Sequence, residues 1–164
     1  MKCIILSDSH GDLASVRVVL SKNRDAEVVF FLGDGLSDIY EVKKEFPSVA
    51  FIAVSGNCDI RLFDAPRIEN ITLEGKRIVL THGDVFMVKS SLVGLRSLAE
   101  DTHADIILFG HTHAPTLEAI GTSYGKAILF NPGSVRGALY GSGSFGVVDL
   151  KDSADSIPEV RVLR

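Results

Sequence analysis

The chain has 164 residues, enough to bury a real core as one domain over 1–164 without covalent staples. Its 46% hydrophobic and 23% charged residues are ordinary for a soluble globular protein. The net charge of −4, with Lys43-Lys44 as the nearest thing to a basic patch, argues against a nucleic-acid polymer as partner. Cys3 and Cys58 form no disulfide framework, so the expectation is reduced thiols and a cytoplasmic setting. The opening MKCIILSDSHGD has too short an apolar run for a secretory leader or a membrane span, and no membrane partner is expected.

The first apolar run, residues 2–6, reads as a buried strand and ends on Ser7-Asp8-Ser9-His10. DLASVRVVLSKN follows as a helix, with Asp12 as N-cap and Leu13, Val16, Val19 and Leu20 on one face. A second strand over 27–32 ends on Gly33-Asp34. LSDIYEVKKEF is a second helix, capped by Ser37 or Asp38 and stopping before Pro47, with Lys43, Lys44 and Glu45 on a solvated face. A third strand over 49–54 ends on Ser55-Gly56-Asn57-Cys58-Asp59, and a fourth over 77–80 ends on Thr81-His82-Gly83. SSLVGLRSLAED makes a third helix with Leu92, Leu95, Leu98 and Ala99 inward, and a strand over 105–109 ends on Gly110-His111-Thr112-His113. After Thr116 helices give way to short strands, at 127–130 and 145–150, joined by Gly-rich turns such as GTSYGK and ALYGSGS. Strand and helix alternate first, as in βαβ units with a parallel sheet, and mainly antiparallel strands close the chain.

Ligands of open α/β sheets bind outside the carboxyl ends of the strands. Five strand ends here carry Asp, His or Asn, and they hold four of the five histidines: His10, His82, His111 and His113. His103 stands apart and reads as structural. Imidazoles with carboxylates suit transition metals. Seven candidate ligands exceed the four of a structural zinc site. They match two ions sharing a carboxylate, a pair about 3.5–4 Å apart that clamps a phosphoryl group and acidifies water. Singly, each residue has a plainer reading. Asp8 could cap the first helix, Asp34 could fill a turn, and His82 could be a satisfied core histidine. GNCD, residues 56–59, could be a turn, a metal site or a nucleophile.

In their order, DSHG, GD, GN, HGD and GHTH resemble the calcineurin-like metallophosphoesterases, and most closely the small cap-less prokaryotic phosphodiesterase branch, whose fold a retromer subunit shares. The resemblance covers residues 2 to about 150. It implies an α/β fold, a four-layer αββα sandwich of two mixed β-sheets packed face to face with helices outside. It implies Asp8, His10 and His113 as ligands of one ion, Asn57, His82 and His111 as ligands of the other, and Asp34 as the bridge. The ions would be divalent transition metals, Mn first, with Fe, Ni or Zn open, and a metal-bridging hydroxide would attack phosphorus.

The expected catalytic group is Asn57, Cys58, Asp59 and His111. Cys58 stands where most of the superfamily has a general-acid histidine, and a thiol is a weaker donor. Asp59 is expected to orient a ligand or to fill a turn. Arg136, in NPGSVRG, is expected to reach a substrate phosphate. Segments 61–75 and 84–94 would form the rims, with Phe63, Arg67, Phe86 and Lys89. The function expected is hydrolysis of small phosphodiesters. The alternatives are a phosphomonoesterase or nucleotide phosphatase, and a non-catalytic scaffold of the same fold. A homodimer is a mild expectation.

Overall fold

The structure is a computed structural model and describes residues 1–59, 64–136, 142–151, 157 and 159–162. Strands β1 (Lys2–Leu6), β2 (Val28–Phe31) and β3 (Ala50–Ala53) pair in parallel, with Leu6 against Phe31 and Phe31 against Ala53. Helices α1 (Leu13–Lys22) and α2 (Leu36–Val42) make the crossovers between them. Strand β4 (Ile68–Leu73) turns back antiparallel onto β5 (Lys76–Thr81). Helix α3 (Val93–Thr102) leads to β6 (Ile106–Leu108), which is parallel to β5. Strand β7 (Thr116–Thr122) forms a hairpin with β8 (Gly125–Asn131), and β9 (Ser144–Asp149) runs antiparallel to β1 with β10 (Glu159–Val162) outside it. The result is two mixed sheets, ordered β10-β9-β1-β2-β3 and β4-β5-β6-β8-β7.

Alternation along the strands builds the layers, because successive side chains of a strand point to opposite faces. Cys3, Ile5, Val28, Phe30 and Leu32 meet Ile78, Leu80, Ile106, Leu108 and Phe130 between the sheets. The intervening Ile4, Leu6, Val29 and Phe31 face Val16, Val19 and Leu20 of α1 and Leu36, Ile39 and Val42 of α2. On the far side, Val79, Ile107 and Leu129 pack on Leu95 and Ala99 of α3. This is the expected αββα sandwich. Strands buried on both faces must be apolar throughout, which is why the early runs are continuous.

Two details differ from expectation. Strands β4, β7 and β10 went unread. Each lies at the edge of a sheet, and the first two alternate buried and exposed residues instead of forming an apolar block. Helix α2 is not capped by Ser37 or Asp38. Gly35 occupies the N-cap without a side-chain bond, and Asp38 turns inward. The cap at Asp12 is as expected, its carboxylate accepting from Ser15 N at 3.0 Å. No described helix is long and apolar enough to cross a membrane.

Candidate metal centre

The parallel strands β1, β2 and β3 of one sheet, and β5 and β6 of the other, deliver their carboxyl ends to one rim. The loops leaving them interlock: Asp8 N–H donates to Gly33 O, His10 N–H to Asp34 O, and Gly110 N–H to His82 O, each at 3.0 Å. Five of the seven expected ligands sit in left-handed backbone conformations: Asp8 (φ 56°), His10 (45°), Asp34 (59°), His111 (67°) and His113 (59°). A left-handed residue other than glycine costs about 1–2 kcal/mol, so other groups must hold these loops.

Those groups are visible. Asp38 is buried, and its Oδ2 accepts from Ser9 Oγ at 2.6 Å and Gly11 N–H at 2.8 Å, one residue to either side of His10. The Asp59 carboxylate accepts the backbone N–H groups of Asp34, Gly35, Leu36 and Gly56, all at 2.8 Å. Asn131 donates to Gly110 O at 2.8 Å and Thr112 Oγ1 at 3.0 Å, on either side of His111. Ser134 Oγ donates to Asp8 O at 2.8 Å. Gly56 and Gly110 complete the packing, since a Cβ at either would collide with Asp34 or with Ser7 and Asp8.

So held, the polar groups converge in three overlapping sets: Asp8–His10–His113, Asp34–His82–His111 and His10–Asp34–Cys58, with ligand atoms within 4.8 Å of one another in each. In the first set His113 Nε2 lies 3.2 Å and His10 Nε2 3.8 Å from Asp8 Oδ1. In the second His82 Nε2 lies 3.3 Å from Asp34 Oδ2 and 3.1 Å from His111 Nδ1. Asp34 joins the sets, since His10 Nε2 is 3.9 Å from Asp34 Oδ2.

Two observations test whether these residues fit metal ions. Asp8 Oδ1 is buried and accepts no hydrogen bond, although imidazole nitrogens surround it. An unpaired buried carboxylate oxygen is costly, and a cation among those nitrogens removes the cost. His82 Nδ1 donates to Leu32 O at 2.7 Å, which fixes the tautomer and leaves Nε2 to face Asp34 and His111. Lone pairs so directed repel unless something positive lies between them. Burial opposes ionisation of Asp34, yet the His82 imidazole beside it and the Cys58 N–H hold it well below the usual carboxylate range. Burial also works against a charged His82, but Asp34 and Asp8 beside it raise it. His111 is lowered by burial, by His82 and by Lys89. The residues fit divalent cations.

The remaining expected residues fall as follows. Cys58 is exposed and its backbone N–H donates to Asp34 Oδ1 at 2.8 Å. Burial of the thiol group, with Asp34, Asp59 and Asp8 nearby, pushes it up to about 11. Asn57 is exposed beside it, donating to Cys58 Sγ at 3.2 Å. Asp59 acts on backbone, which makes it a positioning group. Arg136 is exposed in the turn after β8. Arg67 pairs with Asp84 and donates to Ser55 O, so it braces the two rim segments against each other. Phe63, and residues 138–141 of the ALYGSGS turn, lie outside the described residues. His103 is the left-handed C-cap of α3 and packs on Tyr124, a structural place. Two hollows of about 400 and 340 Å³, one between β3 and β4 and one along β4 and β5, are lined by none of the seven ligand residues.

Sequence reasoning missed Asp38, Asn131 and Ser134. For Asp38 there was a signal: a carboxylate between Leu36 and Ile39, on a short helix with few other polar residues turned inward.

Imidazoles and carboxylates gathered at the strand ends of a two-sheet αββα sandwich define a metallohydrolase-type centre. Residues 1–153 match the family model of the calcineurin-like phosphoesterase superfamily domain, and the chain belongs to that superfamily. It is 31% identical over 159 residues to the probable metallophosphoesterase YsnB of Bacillus subtilis, covering 96% of this chain and 89% of that one. It is 32% identical to the phosphodiesterase YfcE of Escherichia coli K12, covering 91% and 88%. A predicted phosphoesterase of Streptococcus pneumoniae has the same fold, with a TM-score of 0.76 at 24% identity over 99% of this chain and 97% of that one.

Proposed function

We propose that this chain is a phosphodiesterase that hydrolyses small phosphodiesters with two divalent transition-metal ions, Mn²⁺ first among them. The observation that carries the reading is the position of Asp34, whose Oδ2 lies 3.9 Å from His10 Nε2 in one direction and 3.3 Å from His82 Nε2 in the other. Asp8, His10 and His113 would hold one ion, Asn57, His82 and His111 the other, and Asp34 would serve both. Ions held there would supply Lewis acidity, offsetting phosphoryl charge and lowering the pKa of a bound water.

The chain's own residues do the rest. Asp8 and Asp34 are the only carboxylates among the seven ligands, so two divalent ions leave the centre net positive and suited to an anionic diester. The Leu32 carbonyl keeps the proton of His82 on Nδ1, which reserves Nε2 as a ligand atom. Cys58 is exposed at the rim and would serve as a weak donor to the leaving oxygen. Lys89 is exposed on the second rim segment, and its charge reaches His111, which supports it as a cationic wall for phosphate. The name of the Escherichia coli relative supports a diester over a monoester.

The experiment is a comparison of bis-p-nitrophenyl phosphate with p-nitrophenyl phosphate, using the Mn²⁺-loaded protein. Higher kcat/KM on the diester supports the reading. Higher kcat/KM on the monoester would replace it with a phosphomonoesterase.

A further inference from the structure

The third ligand set, His10–Asp34–Cys58, is not used by the reading above, in which Cys58 donates a proton. Its geometry is built. The Cys58 Sγ, a His10 ring nitrogen and an Asp34 carboxylate oxygen lie within 4.8 Å of one another, and the Cys58 backbone N–H donates to the Asp34 carboxylate at 2.8 Å. The turn that carries Cys58 is fixed from below. Asp59, the next residue, is locked to four backbone N–H groups, and Gly56 packs against Asp34 where no side chain fits. Sulfur is therefore held beside the shared carboxylate by a rigid loop. The unpaired, buried Asp8 Oδ1 lies 3.8 Å from His10 Nε2, the residue this set shares with the first.

One nitrogen, one oxygen and one sulfur form a three-ligand set with an open position, the arrangement that borderline and soft ions accept in tetrahedral geometry. Mn²⁺ and Mg²⁺ prefer oxygen and nitrogen. We propose that Cys58 is a sulfur ligand for thiophilic divalent ions of the Zn²⁺, Co²⁺ and Cd²⁺ class, which bind at His10, Asp34 and Cys58, whereas Mn²⁺ does not use the sulfur. The inference rests on the metal-centre reading above. Because His10 and Asp34 also belong to the other two sets, an ion seated here draws on the same ligands as the expected pair. On binding, the S–H bond breaks as the S–metal bond forms, and the proton passes to solvent.

The test is titration of the metal-free full-length protein with Co²⁺ alone, for the natural sequence, Cys58→Ser and Cys3→Ser. Visible d–d bands report that cobalt is bound, and a near-ultraviolet sulfur-to-cobalt charge-transfer band reports a thiolate ligand. The expected result is both signals in the natural protein and in Cys3→Ser, and loss of only the charge-transfer band in Cys58→Ser. In parallel, Cys58→Ser should weaken Cd²⁺ binding by about tenfold or more while changing Mn²⁺ binding less, since even indirect partners of a metal site contribute about 10–100-fold in affinity. Visible bands without charge transfer in the natural protein would overturn the sulfur assignment and leave the metal centre standing. A charge-transfer band that survives in Cys58→Ser would overturn it in favour of Cys3. A folded protein that binds no cobalt would overturn both this inference and the reading it rests on.

Discussion

Asp59 and Asp34 are joined across 25 positions of the chain, Asp59 Oδ2 accepting the Asp34 backbone N–H at 2.8 Å. The same carboxylate takes three further N–H groups from the loops that carry Asp34 and Cys58. It therefore sets the angle at which Asp34 enters the centre. Asp59→Asn retains the size but only one accepting oxygen for four donors. It should lower metal affinity by about 10–100-fold and stability by about 1–3 kcal/mol. Calorimetric Mn²⁺ titration and urea unfolding read the two effects. Unchanged Mn²⁺ affinity would reduce Asp59 to a turn residue.

Asp38 makes the matching prediction for His10. Its Oδ2 holds Ser9 Oγ and Gly11 N–H, which keeps His10 in its left-handed conformation. Asp38→Ala removes both bonds and leaves two donors without that acceptor. Mn²⁺ affinity should fall by about tenfold or more, with kcat falling as well, although Asp38 belongs to none of the ligand sets. If affinity holds and only the unfolding midpoint moves, Asp38 stabilises the fold without positioning the ligand.

These two residues mark the limit of what the sequence discloses. The residues that gather at the rim were legible because each is a polar side chain ending an apolar run, a contrast visible within ten residues. The two buried sheets were legible from the same runs, as in KCIIL and EVVFFL. Asp38 was misread as a helix cap because its partners, Ser9 and Gly11, lie nearly thirty positions away, and local propensity cannot anticipate a tertiary bond. Asn131 looked like part of a Pro-Gly turn, and its bonds to Gly110 and Thr112 depend on β8 lying beside β6. Strand β4 was taken for part of a rim because IENITL lies at an edge, with polar residues at Glu69, Asn70 and Thr72.

Replacing Cys58 by histidine tests its role in the reaction. Imidazole is a better proton donor than a thiol near pH 7. Cys58→His should raise turnover of esters with basic leaving groups by up to about 10²-fold relative to activated nitrophenyl esters. A series of diesters graded by leaving-group pKa measures it. An equal effect across the series would show that the side chain at 58 does not assist departure.

The other cysteine gives a pH dependence free of the metal centre. Burial is the main cause pushing the Cys3 thiol up from 9.0 to about 12. Above pH 9 the unfolded chain releases this proton and the folded protein keeps it. The stabilisation is complete below the unfolded value and is lost as pH rises from there towards about 12. The loss should be about 1 kcal/mol per pH unit in that window. Urea unfolding of the natural protein and Cys3→Ala on both sides of pH 9 isolates the contribution, and the extra alkaline slope should vanish in the variant. Equal slopes in both would show that Cys3 ionises as easily folded as unfolded.

The central claim is that Asp8, His10, Asp34, Asn57, His82, His111 and His113 hold two ions that make the chain a phosphoesterase. The measurement that tests it most directly is bound metal and hydrolysis of bis-p-nitrophenyl phosphate in the same samples of metal-free protein, before and after Mn²⁺, with His111→Ala alongside. The account predicts two Mn²⁺ per chain, turnover that appears only after loading, and loss of that turnover in His111→Ala. Folded protein with no turnover in Mn²⁺, Ni²⁺, Co²⁺ or Zn²⁺ would contradict it and favour a non-catalytic scaffold.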